Sequence, residues 1–125
     1  VAGRGGVIGC TLYPLFMGGA GVSRRDYCSM IARLAEQIGV EHVAIGTDAV
    51  LGWHQDALGW MRGGRWDRPA GASAVPSMPE WPPWFQGPKD FDSLAEGLDD
   101  AGFSPAERDS ILGGNWLRLF STVFR

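Results

Sequence analysis

The chain has 125 residues, which is enough for one domain at most, and 45% of them are hydrophobic, which argues against a disordered polypeptide. Its net charge of −3 gives no electrostatic reason to expect binding to nucleic acid or to an anionic membrane. No apolar run approaches the ~20 residues of a membrane span. The chain opens on Val1 without a methionine and without the pattern of a signal peptide, so we expect that Val1 is not the natural start.

Two short apolar runs in the first half of the chain predict buried strands, at residues 6–13 and 42–46. Between them, apolar residues recur at spacings of three and four from Tyr27 to Ile38, which predicts an amphipathic helix. Ser23 is its expected N-cap and Gly39 its expected end.

A strand, a helix and a second strand in this order predict a βαβ unit with two parallel strands buried on both faces. Thr47 and Asp48 follow the second strand directly. Ligands of α/β folds bind at the carboxyl ends of the strands, which makes Asp48 a candidate site residue. The structural alternative is an aspartate that caps a helix or forms a turn.

A segment rich in tryptophan and proline, residues 49–89, separates this unit from the rest of the chain; we call it the Trp/Pro segment. Six of the eight prolines lie between Pro69 and Pro88, and five of the six tryptophans lie between Trp53 and Trp84. A connection of this length is usually functional. Its aromatic side chains can line a pocket or contact another copy of the chain, and the sequence leaves both open.

Three helical pieces are expected after the Trp/Pro segment. The first begins near Asp90 or Asp92. The second has the strongest local signal in the chain, Ser104-Pro105-Ala106-Glu107, with a capping serine, proline at the first helical position and glutamate at the third. We expect this helix to end at Gly113-Gly114 and Asn115 to cap the last helix. That helix offers apolar side chains for burial at Trp116, Leu117, Leu119, Phe120 and Val123.

The two cysteines, Cys10 and Cys28, are too few for a disulfide framework, and their spacing matches no metal-binding pattern. We expect both to be small buried hydrophobic residues. His42 lies at the start of its strand, away from the expected ligand edge, and is expected to be structural.

The string Gly113-Gly114-Asn115-Trp116-Leu117-Arg118-Leu119-Phe120 resembles the C-terminal signature of the renal, or membrane, dipeptidase family, whose members are zinc-dependent proteins of the amidohydrolase superfamily. Residues 6–14 are similar to a late strand of that family, which carries a tyrosine near its end. Residues 39–48 are similar to the last barrel strand, and residues 91–103 to the short helix before the closing signature. The resemblance covers nearly the whole chain apart from the Trp/Pro segment.

The resemblance implies an α/β fold that is the C-terminal part of a (β/α)8 barrel. Residues 1–125 would contribute the last two parallel strands, their helices and a helical tail. A complete barrel needs about 250 residues, so 125 residues cannot close one.

The resemblance also implies the roles of several residues. Asp48 matches the active-site aspartate after the last strand and would hold the amino group of the substrate or handle the proton. Tyr13 and Phe16 would bind substrate, with core packing as the alternative for Phe16. His54 follows closely enough to contact substrate, with a solvated loop residue as its alternative. The family often has a second aspartate two residues after the first, whereas this chain reads Asp48-Ala49-Val50.

The cofactor implied by the resemblance is zinc, with two ions in the full-length family. Such a site needs several histidine and carboxylate ligands, which in the family come from earlier strands. This sequence contains two histidines, His42 and His54, and they do not have ligand spacing. We therefore expect the metal ligands to lie outside this chain.

These expectations predict part of a zinc-dependent dipeptidase that acts on a dipeptide or small amide and is inactive as an isolated chain. We expect a homo-oligomer or association with a missing N-terminal part, and a location in the bacterial cytoplasm. The alternative is a non-catalytic remnant or binding module that uses the Trp/Pro segment as an interaction surface.

Overall fold

The computed structural model describes residues 1–49, 56–57 and 80–124. In these residues it gives the bounds of two strands and five α-helices. The strands are β1 (Ile8–Cys10) and β2 (Val43–Ile45). The helices are α1 (Pro14–Met17), α2 (Arg24–Ile38), α3 (Phe91–Asp100), α4 (Pro105–Asp109) and α5 (Asn115–Val123).

The two strands lie side by side in parallel, with Gly9 opposite Ala44. The pairing continues past the strands, because the N–H of Gly46 donates to the carbonyl oxygen of Cys10 at 3.0 Å. The predicted parallel βαβ unit is confirmed, with strands shorter than the apolar runs that predicted them. The described residues agree with the α/β class at this level, and the barrel stays a prediction.

Helix α2, which connects the two strands, begins and ends where its local sequence predicts. The Ser23 side chain accepts a hydrogen bond from the N–H of Asp26 at 3.1 Å, which is the expected cap. At the other end Gly39 has φ 93°, and its N–H donates to the carbonyl oxygen of Ala35. A positive φ of this kind is easy for glycine and costly for other residues, so the helix stops there.

The hydrophobic core lies where α2, α3 and the sheet meet. The Tyr27 hydroxyl donates to the carbonyl oxygen of Cys10 at 2.9 Å, which fixes α2 to β1. Helices α2 and α3 approach so closely that a Cβ on Gly97 would lie 2.8 Å from the Sγ of Cys28. The core side chains are Cys10, Leu12, Tyr27, Cys28, Ile31, Val43, Ile45, Phe85, Leu94, Leu98 and Ile111. Both cysteines are buried, as predicted.

An ion-paired arginine joins α2 to α3 at the surface. Arg24 donates to the carbonyl oxygen and the hydroxyl of Ser93 and pairs with Glu96 at 2.9 Å and Asp100 at 3.3 Å. These contacts lie over the close approach at Gly97, so they reinforce the same helix pair.

The C-terminal helices follow one prediction and contradict another. The Ser104–Glu107 capping box is confirmed, with the Ser104 N–H 2.9 Å from the Glu107 carboxylate. The predicted break at Gly113-Gly114 is wrong, because the chain continues through a π-helical turn over Ser110–Gly114 into α5. Asn115 is therefore not a cap: it has helical dihedrals, and its side chain is buried against β2.

Helix α5 is fixed to β2 and to the turn before it by polar side chains, and it leaves much of its apolar surface exposed. The indole N–H of Trp116 donates to the carbonyl oxygen of Ile45 at 2.8 Å, and Arg118 donates to that of Glu41 at 2.7 Å. The exposed hydrophobic side chains of this segment are Leu117, Phe120, Val123 and Phe124. Leu117, Phe120 and Val123, which the sequence offers for burial, are thus exposed in this chain.

The described end of the Trp/Pro segment contributes to the core. Phe85 and Pro82 are almost fully buried, and the indole N–H of Trp84 donates to the carbonyl oxygen of Val22 at 2.8 Å. The predictions for Trp53, Trp60 and Trp66 lie outside the described residues. In the described ranges, every helix is too short or too polar to span a lipid bilayer.

Candidate functional site

The candidate site lies at the carboxyl edge of the parallel pair. One step beyond the strands, the N–H of Leu12 donates to the carbonyl oxygen of Thr47 at 3.2 Å. Tyr13 and Asp48 are the next residues along these two paired segments of the chain. Because paired strands lie about 4.8 Å apart, the hydrogen bond brings these two residues to adjacent positions at one edge.

Asp48 has an unusual backbone conformation at this edge. Its φ is 57°, and it is the one non-glycine residue with a positive φ in the described part of the chain. This region costs most residues roughly 1–2 kcal/mol, although aspartate tolerates it better than most. The turn is held by the Thr47 hydroxyl, which accepts a hydrogen bond from the N–H of Ala49 at 3.2 Å. Strained residues of this kind cluster at functional sites.

The carboxylate of Asp48 is exposed to solvent. An exposed carboxylate can accept hydrogen bonds from a ligand and can bind an ammonium group. It can also take up a proton from a reacting group that lies within hydrogen-bond distance. The position is therefore chemically suited to either of the two roles that the resemblance implies for Asp48.

Tyr13 is the N-cap residue of the short helix α1 and has two aromatic neighbours. Its ring centroid lies 5.4 Å from that of Phe16 and 6.4 Å from that of Trp81, which meets it edge to face. Its N–H donates to the Thr11 hydroxyl at 3.0 Å, which fixes the backbone as it leaves the sheet. Phe16 is 77% exposed in this chain, and the choice between substrate binding and packing against the rest of a barrel stays open.

Trp81 is the residue at this edge that the sequence did not single out. The Trp/Pro segment carries several aromatic residues, and their pattern does not separate Trp81 from Trp84. The structure separates them: Trp81 packs against Tyr13, whereas Trp84 packs against Tyr27 and Phe85 in the core. His54, the fourth predicted site residue, lies outside the described residues.

The described residues do not fit a zinc centre. Nowhere in residues 1–49, 56–57 and 80–124 do three histidine, cysteine, aspartate or glutamate side chains come together as a metal site. His42 is held at the amino end of β2, with its Nδ1 2.8 Å from the carbonyl oxygen of Gly6, as expected of a structural residue. Burial raises the pKa of the Cys10 thiol to about 11, which disfavours the thiolate that a metal or a nucleophilic reaction would need.

Comparison of the chain with protein-family models, with curated proteins and with solved structures gives no match. The likeness to dipeptidases therefore rests on the sequence motifs alone. The chemistry of the candidate site is argued from Tyr13 and Asp48 at the carboxyl edge of the strands.

Proposed function

We propose that this chain forms part of the substrate site of a dipeptidase-like hydrolase, in which Asp48 binds the free amino group of a dipeptide. The observation that carries the proposal is the exposed Asp48 carboxylate, held by a strained backbone at the carboxyl edge of the parallel pair. The sequence motifs supply the reaction class, a hydrolysis of dipeptides.

The role of Asp48 follows from the chemistry of the two groups. A dipeptide carries one ammonium group, and a carboxylate that accepts its N–H groups forms a charge-assisted hydrogen bond. This contact fixes one end of the dipeptide and so orients its amide bond, which is a positioning contribution to hydrolysis. Since the described residues do not fit a zinc centre, no step that needs a metal is assigned to them.

Binding of dipeptides to the 125-residue chain tests the proposal directly. Glycyl-glycine should shift the NMR signals of the Asp48 and Tyr13 amides, and N-acetyl-glycyl-glycine, which has no ammonium group, should bind more weakly. Asp48→Asn keeps the shape and removes the charge, and it should weaken glycyl-glycine binding about ten-fold or more, because hydrogen bonds to charged groups are worth about 1.5–3 kcal/mol.

The matched control is Asp92→Asn, which neutralises an exposed aspartate on α3. It changes the net charge equally and should leave binding unchanged. Equal binding of glycyl-glycine by Asp48→Asn and by the unmodified chain would contradict the proposal.

Hydrolysis itself is tested in the longer polypeptide that the resemblance implies. There Asp48→Asn should lower kcat/KM for dipeptides, and an unchanged kcat/KM would remove Asp48 from the mechanism. The 125-residue chain alone should not hydrolyse dipeptides when Zn²⁺ is added. Hydrolysis under that condition would contradict the expectation that the ligands lie elsewhere.

The alternative, a binding module that uses the Trp/Pro segment as an interaction surface, receives no specific support from the described residues. Trp84 and Phe85 at the end of that segment pack within the domain, and Trp81 packs against Tyr13. The substrate site at the carboxyl edge therefore remains the proposal.

A further inference from the structure

An open groove lies between α2 and the end of α3. It consists of two neighbouring cavities of about 470 Å³ and 360 Å³, and Ala101, which directly follows α3, lines both of them. Along α2, Arg25 and Ser29 line the first cavity, and Ala32 and Glu36 line the second. We call this surface the α2–α3 groove.

The spacing of these α2 residues places them on one face of the helix. Arg25, Ser29, Ala32 and Glu36 are four, three and four positions apart, and residues at these separations are neighbours on a helix surface. Arg25 and Glu36 are exposed, and they lie about 17 Å apart along the axis at a rise of about 1.5 Å per residue. The groove therefore has a cation at one end, an anion at the other and two short side chains between them.

The other charged groups of the groove have partners within the chain. Arg24 pairs with Asp100 at 3.3 Å, and the Glu107 carboxylate belongs to the capping box of α4. Arg25 and Glu36, by contrast, form no ion pair within the part of the chain that the structure describes. The charges at the two ends of the groove are therefore available to a partner.

The positions of Arg25 and Glu36 are also unfavourable within α2 itself. Arg25 lies in the first turn of the helix and Glu36 in the last. The helix dipole favours acidic side chains in the first turn and basic side chains in the last, which is the reverse of this arrangement. The stability of α2 alone therefore does not explain why these two charges stand where they do.

We propose that the α2–α3 groove binds helix α2 of a second copy of this chain, in an antiparallel, two-fold symmetric dimer. If the two helices cross midway between Ser29 and Ala32, the symmetry places Arg25 opposite the partner's Glu36, and Ser29 opposite the partner's Ala32. Each contact occurs twice, so the dimer has two ion pairs between its copies. The dimer does not rest on the proposed function, because Asp48 does not line the groove.

Charge complementarity selects this occupant. A parallel helix would place like charges together at both ends of the groove, and a partner with one sign of charge would match one end and be repelled at the other. The antiparallel second copy matches both ends. Its α2 would also cover Ala35 and Phe103, which are partly buried hydrophobic residues in the second cavity, and this burial favours association.

Sedimentation velocity of the 125-residue chain over a range of concentrations tests the proposal. The unmodified chain should form dimers. Arg25→Glu and Glu36→Arg should each raise the dissociation constant at least about ten-fold, because each places like charges together at two points of the interface. An equimolar mixture of these two variants should form dimers again, since every contact in the mixed dimer joins opposite charges. The combined variant Arg25→Glu/Glu36→Arg should also form dimers.

The matched control is Arg33→Glu, which reverses an exposed charge on the same helix. Arg33 lines a different cavity, together with Phe16 and Met30, so its replacement should leave the dissociation constant unchanged. A mixture of Arg33→Glu with Glu36→Arg should not behave like the complementary mixture. Circular dichroism of each variant shows that it is folded, and exposed positions of this kind should tolerate the substitutions.

Three results would overturn the proposed dimer. The first is a chain that stays monomeric at every concentration. The second is a dimer that neither Arg25→Glu nor Glu36→Arg weakens, which would place the contact on another surface, such as the exposed apolar residues of α5. The third is a loss of dimers in both variants without recovery in their mixture, which would show that Arg25 and Glu36 do not face each other across the interface.

Discussion

The side-chain amide nitrogen of Asn115 donates a 2.8 Å hydrogen bond to the carbonyl oxygen of Val43 and another of 2.8 Å to that of Val40. Asn115 is 4% exposed, so water does not compete for these bonds. One side chain therefore satisfies the backbone where β2 begins and holds the last helix against the sheet that carries Asp48.

Replacing Asn115 by leucine should destabilise the fold strongly. Leucine has a similar size but no donor, so two carbonyl oxygens lose their partner, and the free energy of unfolding should fall by about 1–3 kcal/mol. Urea denaturation followed by circular dichroism measures this loss. Ser121→Ala, at an exposed position of the same helix, is the control and should change it by less than about 0.5 kcal/mol. An equal effect of both variants would refute the role given to Asn115.

A second contact of α5, made by Trp116, limits which residue type position 9 accepts. A Cβ on Gly9 would lie 3.0 Å from Cζ2 of Trp116, so Gly9→Ala should lower the free energy of unfolding by roughly 1–3 kcal/mol. The same change in a Trp116→Leu background should cost less, because the ring is gone. Gly3→Ala is the control, since no atom from elsewhere in the structure lies within 4 Å of its Cβ position. Equal costs in the two backgrounds would show that the contact is not responsible.

Much of the fold could be predicted because its signals are local. The caps at Ser23 and Ser104 need only residues a few positions away, and the structure has both. Asn115 could not be assigned in this way, because an asparagine after two glycines is a normal cap by local chemistry. Its actual role is decided by carbonyl groups 72 and 75 positions earlier.

The residues of the candidate site also differ in whether local sequence or distant contacts decide their position. Asp48 could be proposed because it follows an apolar run, and Tyr13 because the resemblance places an aromatic residue near the end of the other run. Trp81 could not be selected among the tryptophans, since its contact with Tyr13 depends on the path of the chain between residues 49 and 80. Sequence proximity suggested His54, and the described residues do not test that suggestion.

The two thiols should be unreactive in the folded chain. Burial raises the pKa of Cys10 and of Cys28 to about 11, so near pH 8 only about one thiol in a thousand is ionised. Reaction with Ellman's reagent should therefore be slow and should follow the unfolding rate. In urea both thiols should react at once. Rapid modification of one thiol in the native chain would contradict the burial of that side chain.

The capping box should make the start of α4 sensitive to acid. Hydrogen bonds from the side chain and backbone of Ser104 lower the pKa of Glu107 below its ordinary value of 4.5. A lowered pKa stabilises the fold above about pH 4.5, and this contribution is lost as the pH falls through the pKa of the folded state. NMR titration should show the pKa of Glu107 rising in Ser104→Ala. An unchanged pKa would show that the two residues do not interact in solution.

Substitutions at Asp48 should separate backbone strain from ligand binding. Glycine accepts a φ of 57° without steric cost and alanine does not, so Asp48→Ala should be less stable than Asp48→Gly by roughly 1 kcal/mol. Asparagine also tolerates this region, so Asp48→Asn should match the unmodified chain in stability. All three variants lack the carboxylate and should lose glycyl-glycine affinity to the same extent. If affinity followed stability instead, Asp48 would act through the backbone of the turn and not through its charge.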